Sequence, residues 1–98
     1  MIVEFIDEVG PFYFRSICLP EAGMRIPQHV HDYDHATLCG NGKARVYKDG
    51  VILKIIEAGE AVLIEAFHRH EIESLEKNTR LICVHDPKSV ESIERKGL

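Results

Sequence analysis

The stretch Gln28 to Gly42, QHVHDYDHATLCGNG, carries His29, His31 and His35 at separations of two and four residues. Side chains on a strand alternate faces with a period of two, so all three imidazoles can point to one side. A neutral imidazole offers a ring-nitrogen lone pair at physiological pH without first having to lose a proton at high cost. The chemistry that this spacing suggests is a bound metal ion. Further along stand His68, His70 and His85, of which His70 alternates with Glu71 on a strand-like run.

The elements that must position these residues read as strands. Met1 to Ile6, Phe12 to Leu19, His35 to Cys39, Lys43 to Tyr47, Val51 to Ile56, Ala61 to Ile64, Arg69 to Leu75 and Arg80 to His85 are short apolar or alternating segments separated by turn residues. That rhythm is typical of an all-β sandwich or barrel. Gly10-Pro11, Pro20, Gly23 and Pro27 punctuate the first part of the chain, Gly40-Asn41-Gly42 reads as a tight turn, and Asp49-Gly50 is a strong hairpin signal. Arg80 to His85 is apolar enough to be expected buried on both faces. Beyond Pro87, Ser89 is a candidate N-cap and Gly97 a candidate stop, which predicts a short C-terminal helix or tail.

Bulk composition narrows the function. A chain of 98 residues with 45% hydrophobic content fits a single domain over 1–98 able to bury one core. Twelve basic against sixteen acidic side chains give a net charge of -4, with the basic residues scattered. A nucleic-acid partner needs a concentrated positive field, and a membrane anchor a polybasic or long apolar segment; neither is present. The acidic start MIVEFIDEVG lacks the features of a signal peptide, so a cytoplasmic protein is expected. Cys18, Cys39 and Cys83 are widely spaced with no CxxC pair, as expected of small buried hydrophobes in a reducing compartment rather than a disulfide framework or zinc knot.

With these residues in hand, the chain resembles the cupin superfamily. In the first cupin motif a glycine precedes a His-x-His pair, followed by glutamate and a closing glycine. Here Gly23 stands six positions before His29, His31 follows, His35 falls where glutamate is usual, and Gly42 closes the motif. In the second, Gly59 leads to Glu65 at the proline position, Phe67 at a glycine position, His70 at the histidine and Ser74 at the asparagine. The resemblance implies a double-stranded β-helix, or jelly-roll, barrel with metal-site motifs over 23–42 and 59–74. It also implies a divalent metal held by His29, His31 and His70, with His35 replacing the carboxylate ligand, and a homodimer in which the first strand, MIVEFI, is the segment suspected of crossing to a partner. A four-imidazole set favours zinc, nickel, iron or copper over oxygen-seeking magnesium or calcium.

The remaining candidates have plainer readings. His68 is expected as an exposed turn residue rather than an extra ligand, and His85 as a core or rim histidine. Tyr33 lies on the ligand face by strict alternation unless a turn around Asp32 to Asp34 breaks the parity. Asp32, Asp34 and Glu65 are expected as solvated rim charges before acid or base groups. Three functions fit: a metalloenzyme of dioxygenase, isomerase or lyase type acting on a small molecule, a noncatalytic metal- or ligand-binding module, or a structural accessory protein.

Overall fold

The computed structural model describes residues 2–27 and 30–85. Nine strands follow in order: β1 (Val3–Val9), β2 (Phe12–Leu19), β3 (Arg25–Pro27), β4 (His35–Asn41), β5 (Lys43–Lys48), β6 (Val51–Glu57), β7 (Ala61–Ile64), β8 (His70–Ser74) and β9 (Thr79–His85). They form a five-stranded sheet of order β1-β2-β9-β4-β7 and a four-stranded sheet of order β3-β8-β5-β6, every pairing antiparallel. This is the jelly-roll arrangement that the strand rhythm and the two motifs imply. The helix or tail expected after Pro87 lies outside the described residues, and no helix among the described residues is long and apolar enough to cross a membrane.

The inner faces of the two sheets enclose the core. Ile17, Leu19, Ile26, Val46, Ile56 and Ile72 pack there, with Leu81, Val62 and Ile64 from the larger sheet. Directly opposed residues of an antiparallel pair share a face, and the register fixes which residues point in. Ile17 faces Leu81, Thr37 faces both Cys83 and Val62, and Val46 faces Ile72. β4 buries His35, Thr37 and Cys39 and leaves Ala36 and Leu38 partly exposed. β8 likewise buries His70, Ile72 and Ser74.

Four details differ from the expectation. β1 runs to Val9 rather than stopping at Ile6, because its ladder with β2 continues to the Val9–Phe12 pair. β3 has only three residues and ends at a proline, too short for an alternation to register. Gly40-Asn41-Gly42 turns the chain, but it carries it from the larger sheet into the smaller one instead of closing a hairpin. β9 is buried on one face only: Arg80, Ile82 and Val84 are half-buried on the other.

The turn chemistry is legible in the dihedrals. Asp49 and Gly50 both take positive φ, +51° and +83°, the pattern of a type I′ hairpin turn, whose twist matches that of the flanking strands. Gly42, at φ +79°, is fixed twice over: a Cβ there would stand 2.5 Å from Thr79 Oγ1 and 2.9 Å from Thr79 Cα. Gly42→Ala combines a left-handed alanine with overpacking against backbone, an expected loss of roughly 2–4 kcal/mol in urea unfolding at unchanged m value. A loss below about 0.5 kcal/mol, the ordinary scale of a neutral surface change, contradicts this role.

Candidate metal centre at the barrel mouth

One end of the barrel gathers the chemistry. In the larger sheet Tyr13 is opposite His85 and His35 opposite Ile64; in the smaller, Lys48 is opposite His70 and Pro27 opposite Glu71. The loops at this end clasp one another. Phe67 N–H donates to the His31 carbonyl at 2.8 Å and Ala66 N–H to Asp34 Oδ1 at 2.7 Å. Asp49 accepts the Arg69 N–H at 3.0 Å and contacts His68 Nδ1 at 2.7 Å. Lys48 Nζ meets Glu65 Oε1 at 2.7 Å.

These bonds settle several roles. Asp34 is a loop clasp, and the Lys48 ammonium beside Glu65 holds its carboxyl below the usual range. His68 sits partly exposed in the turn before β8, paired to Asp49, as expected. Ser74 ties the far ends of the two motifs together: its Oγ donates to the Glu21 carbonyl at 2.7 Å and accepts the Met24 N–H at 3.0 Å, while Gly23 N–H donates to its carbonyl at 2.7 Å. Phe67 holds φ +64° where the family pattern has glycine. A bulky residue in that region is strained by about 1–2 kcal/mol, yet its ring is exposed and its amide is the one that reaches His31.

The imidazoles themselves cluster. His35 is buried, its ring centroid 5.4 Å from that of His31 and 4.6 Å from that of His85. Tyr33 stacks on His31 at 4.6 Å and meets His85 edge-on at 5.6 Å. A bend does occur at Asp32–Tyr33, yet the Tyr33 ring still faces the histidines. Tyr13 stands edge-on to His85 at 5.5 Å. His85 is thus a buried histidine at the rim, within the cluster. Its parity with Leu81 and Cys83 pointed it inward, but only the register with Tyr13 puts it at the mouth.

Neither ring nitrogen of His35 has a hydrogen-bond partner among the described residues, nor has Nε2 of His70 or the buried hydroxyl of Tyr33. Buried polar atoms are normally satisfied, so orphans at one place call for an explanation such as an absent ion or ligand. Burial, with His85 and His31 nearby, drives the His35 pKa down to about 3. Burial also lowers that of His70, so both imidazoles are neutral at pH 7. His70 Nδ1 lies 3.3 Å from the His68 carbonyl. Donation there places the proton on Nδ1 and leaves the Nε2 lone pair open, as in many metal-ligating histidines. Burial and Asp32 raise the Tyr33 hydroxyl to about 12, so it stays protonated as a donor.

The residues present fit a metal as donor atoms. Two imidazoles sharing an ion at about 2.1 Å from each ligating nitrogen place their centroids roughly 4.5–5.5 Å apart, and His31 and His35 fall in that range. Among the described residues no group of three or more His, Cys, Asp or Glu side chains is arranged to hold an ion as it stands. His29, the first member of the expected set, lies outside the described residues.

The sequence matches no protein-family model and no curated protein. The fold, however, has many solved counterparts. KdgF from Halomonas sp. superposes with a TM-score of 0.74 at 20% identity, over 88% of this chain and 78% of that one. A cupin superfamily protein from Desulfitobacterium hafniense gives 0.72 at 10% identity, over 88% and 77%. This chain has the cupin fold. A cupin 2 conserved barrel domain protein from Leptotrichia buccalis agrees at 0.77 and 22% identity, over 91% of this chain and 42% of that longer one. Within the cupin barrel, His35 and His70 begin their strands at the mouth, and the Tyr33–His31 stack lies in the loop before β4.

Proposed function

We propose that this cupin-fold chain binds one divalent transition metal, zinc, nickel, iron or copper, through His31, His35 and His70 together with His29. We further propose that it presents the metal to a small molecule, as a homodimer in a reducing, cytoplasmic setting. The observation that carries the reading is that His35 and His70 are buried and that, among the described residues, both ring nitrogens of His35 and Nε2 of His70 lack a hydrogen-bond partner. The bound ion would supply Lewis-acid polarisation of an oxygen ligand or, as iron, oxygen activation. The chain's own residues do the rest. The Tyr33 hydroxyl supplies a protonated donor at the mouth, the His68 carbonyl holds the His70 ring, and the Tyr13 and Tyr33 rings flank His85 edge-on.

A small-molecule ligand is favoured by the coordination positions that three or four imidazoles would leave open around an octahedral ion. Three free cysteines accord with the reducing setting. The alternative is a noncatalytic module in which four imidazoles close tetrahedrally and the ion only fastens the barrel. The two separate by experiment. For an open site, an exogenous ligand such as azide shifts the d–d spectrum of the cobalt-substituted protein and one of the oxygenase, isomerase or lyase substrate panels turns over. A cobalt spectrum that is tetrahedral and indifferent to azide, with metal-dependent melting and no turnover, favours the fastening role.

A further inference from the structure

The inner face of the smaller sheet carries a cation beside the histidine cluster. Lys48, the last residue of β5, is directly opposite His70, the first of β8. Directly opposed residues of an antiparallel pair share a face, with Cβ atoms about 4.5–5.5 Å apart. His70 is buried, so the Lys48 side chain leaves the sheet on the same inward side, and only 26% of it is exposed. Its charge reaches the imidazole: burial lowers the His70 pKa and Lys48 lowers it further. An ammonium so placed needs a counter-charge. Glu65 supplies one, with Lys48 Nζ at 2.7 Å from its Oε1.

The charge balance at this end is one-sided. A ligand set made only of neutral imidazoles brings no negative charge, so a divalent ion held by it keeps both of its positive charges in a partly dry site, where charge is expensive unless paired. The carboxylates nearby are committed to other tasks: Asp34 to the Ala66 N–H, Asp49 to His68 and the Arg69 N–H, and Glu65 to Lys48. Whatever occupies the mouth is thereby selected for negative charge.

We infer that Lys48 is the specificity-determining residue of the mouth: its ammonium holds the carboxylate of a small organic acid, a second acidic oxygen of which faces the histidine cluster. The inference rests on the metal reading above and names the class of molecule that site takes. Glu65 is the placeholder. It sits in the loop between β7 and β8 with its side chain 44% exposed, and the incoming carboxylate exchanges with it, so one ion pair replaces another. Lysine suits the exchange, because its ammonium is a compact charge with three donors on a flexible stem that turns from one carboxylate to the next.

Titration of the cobalt-substituted full chain with succinate and with butyrate, followed in the visible spectrum at constant ionic strength, tests this. The two acids share a chain length, but butyrate has one carboxylate and makes only one of the two contacts. Wild type is expected to bind succinate about tenfold more tightly or better, the scale of one hydrogen bond to a charged group. Lys48→Met should abolish the preference and keep the butyrate affinity. Glu65→Gln, which frees the ammonium, should enlarge the preference severalfold, a gain that a misfolded variant does not show. Lys43→Met, which removes the same charge at the other end of β5 from its pair with Glu57, should leave it unchanged. Equal binding of the two acids by wild type, a preference that survives Lys48→Met, or one that Lys43→Met reduces as much, overturns the role of Lys48 alone. A chain that takes up no cobalt, or whose cobalt spectrum ignores both acids and azide, overturns the open metal site and this inference with it.

Discussion

Replacing His35 with leucine is expected to make the metal-free protein more stable and to abolish its response to metal. His35 is almost fully buried and neither ring nitrogen is bonded among the described residues. An unsatisfied buried polar group costs about 1–3 kcal/mol, and an apolar replacement of similar size removes that penalty. The stacking against His85 is lost in exchange, but leucine still fills the space. Urea unfolding should show a gain of about 1–3 kcal/mol for metal-free His35→Leu. His70→Leu gains less, because it strands the His68 carbonyl that the Nδ1 contact satisfies. Excess zinc or nickel should raise the melting temperature of wild type by mass action, since the ion binds the folded state, and should leave both variants unmoved. A variant that loses more than about 1 kcal/mol without metal, yet still melts higher with it, contradicts a ligand role.

Acid should begin to destabilise the metal-free protein above the range in which its carboxylates titrate. His35 has its pKa lowered from 6.5 to about 3 in the folded state, and His70 shifts in the same direction. Below pH 6.5 the unfolded chain binds protons that the folded chain refuses, so each step toward acid favours unfolding. The stability is fully present above the unfolded value and is lost as pH falls from about 6.5 toward about 3. One such group contributes a slope approaching about 1.4 kcal/mol per pH unit, and a few kcal/mol in all. His35→Leu should flatten the slope between pH 6 and 4. A wild-type profile flat across that window, or a slope that His35→Leu leaves unchanged, contradicts a buried neutral imidazole.

What the residues disclosed and what they withheld divides along physical lines. The Asp49-Gly50 hairpin was legible because a type I′ turn demands left-handed dihedrals that few other pairs accept. The inward set His35, Thr37, Cys39 and the set His70, Ile72, Ser74 followed from the period-two alternation of strands. β3 was not legible, since three residues before a break cannot show a period, and its place is fixed by pairing with β8 forty-six residues away. The change of sheet at Gly42 was hidden for a related reason: the glycine announces a turn, while its partner Thr79 is known only from the fold. His85 showed its parity but not its depth along the barrel. β9 was read as buried on both faces because the strand is largely apolar; the structure leaves Arg80, Ile82 and Val84 half-buried on its outer face.

The metal site shows the same division. Types and spacing proposed the ligands, and the fold supplied the burial, the missing hydrogen bonds and the His70 tautomer on which the metal reading now rests. The measurement that tests it most directly is elemental analysis of protein purified without a metal-binding tag, wild type beside His35→Leu and His70→Leu. About one equivalent of zinc, nickel, iron or copper per chain in wild type, lost in both variants, is the result expected of a mononuclear site. Folded wild type that takes up none of these metals when they are supplied, or variants that retain them in full, would contradict it.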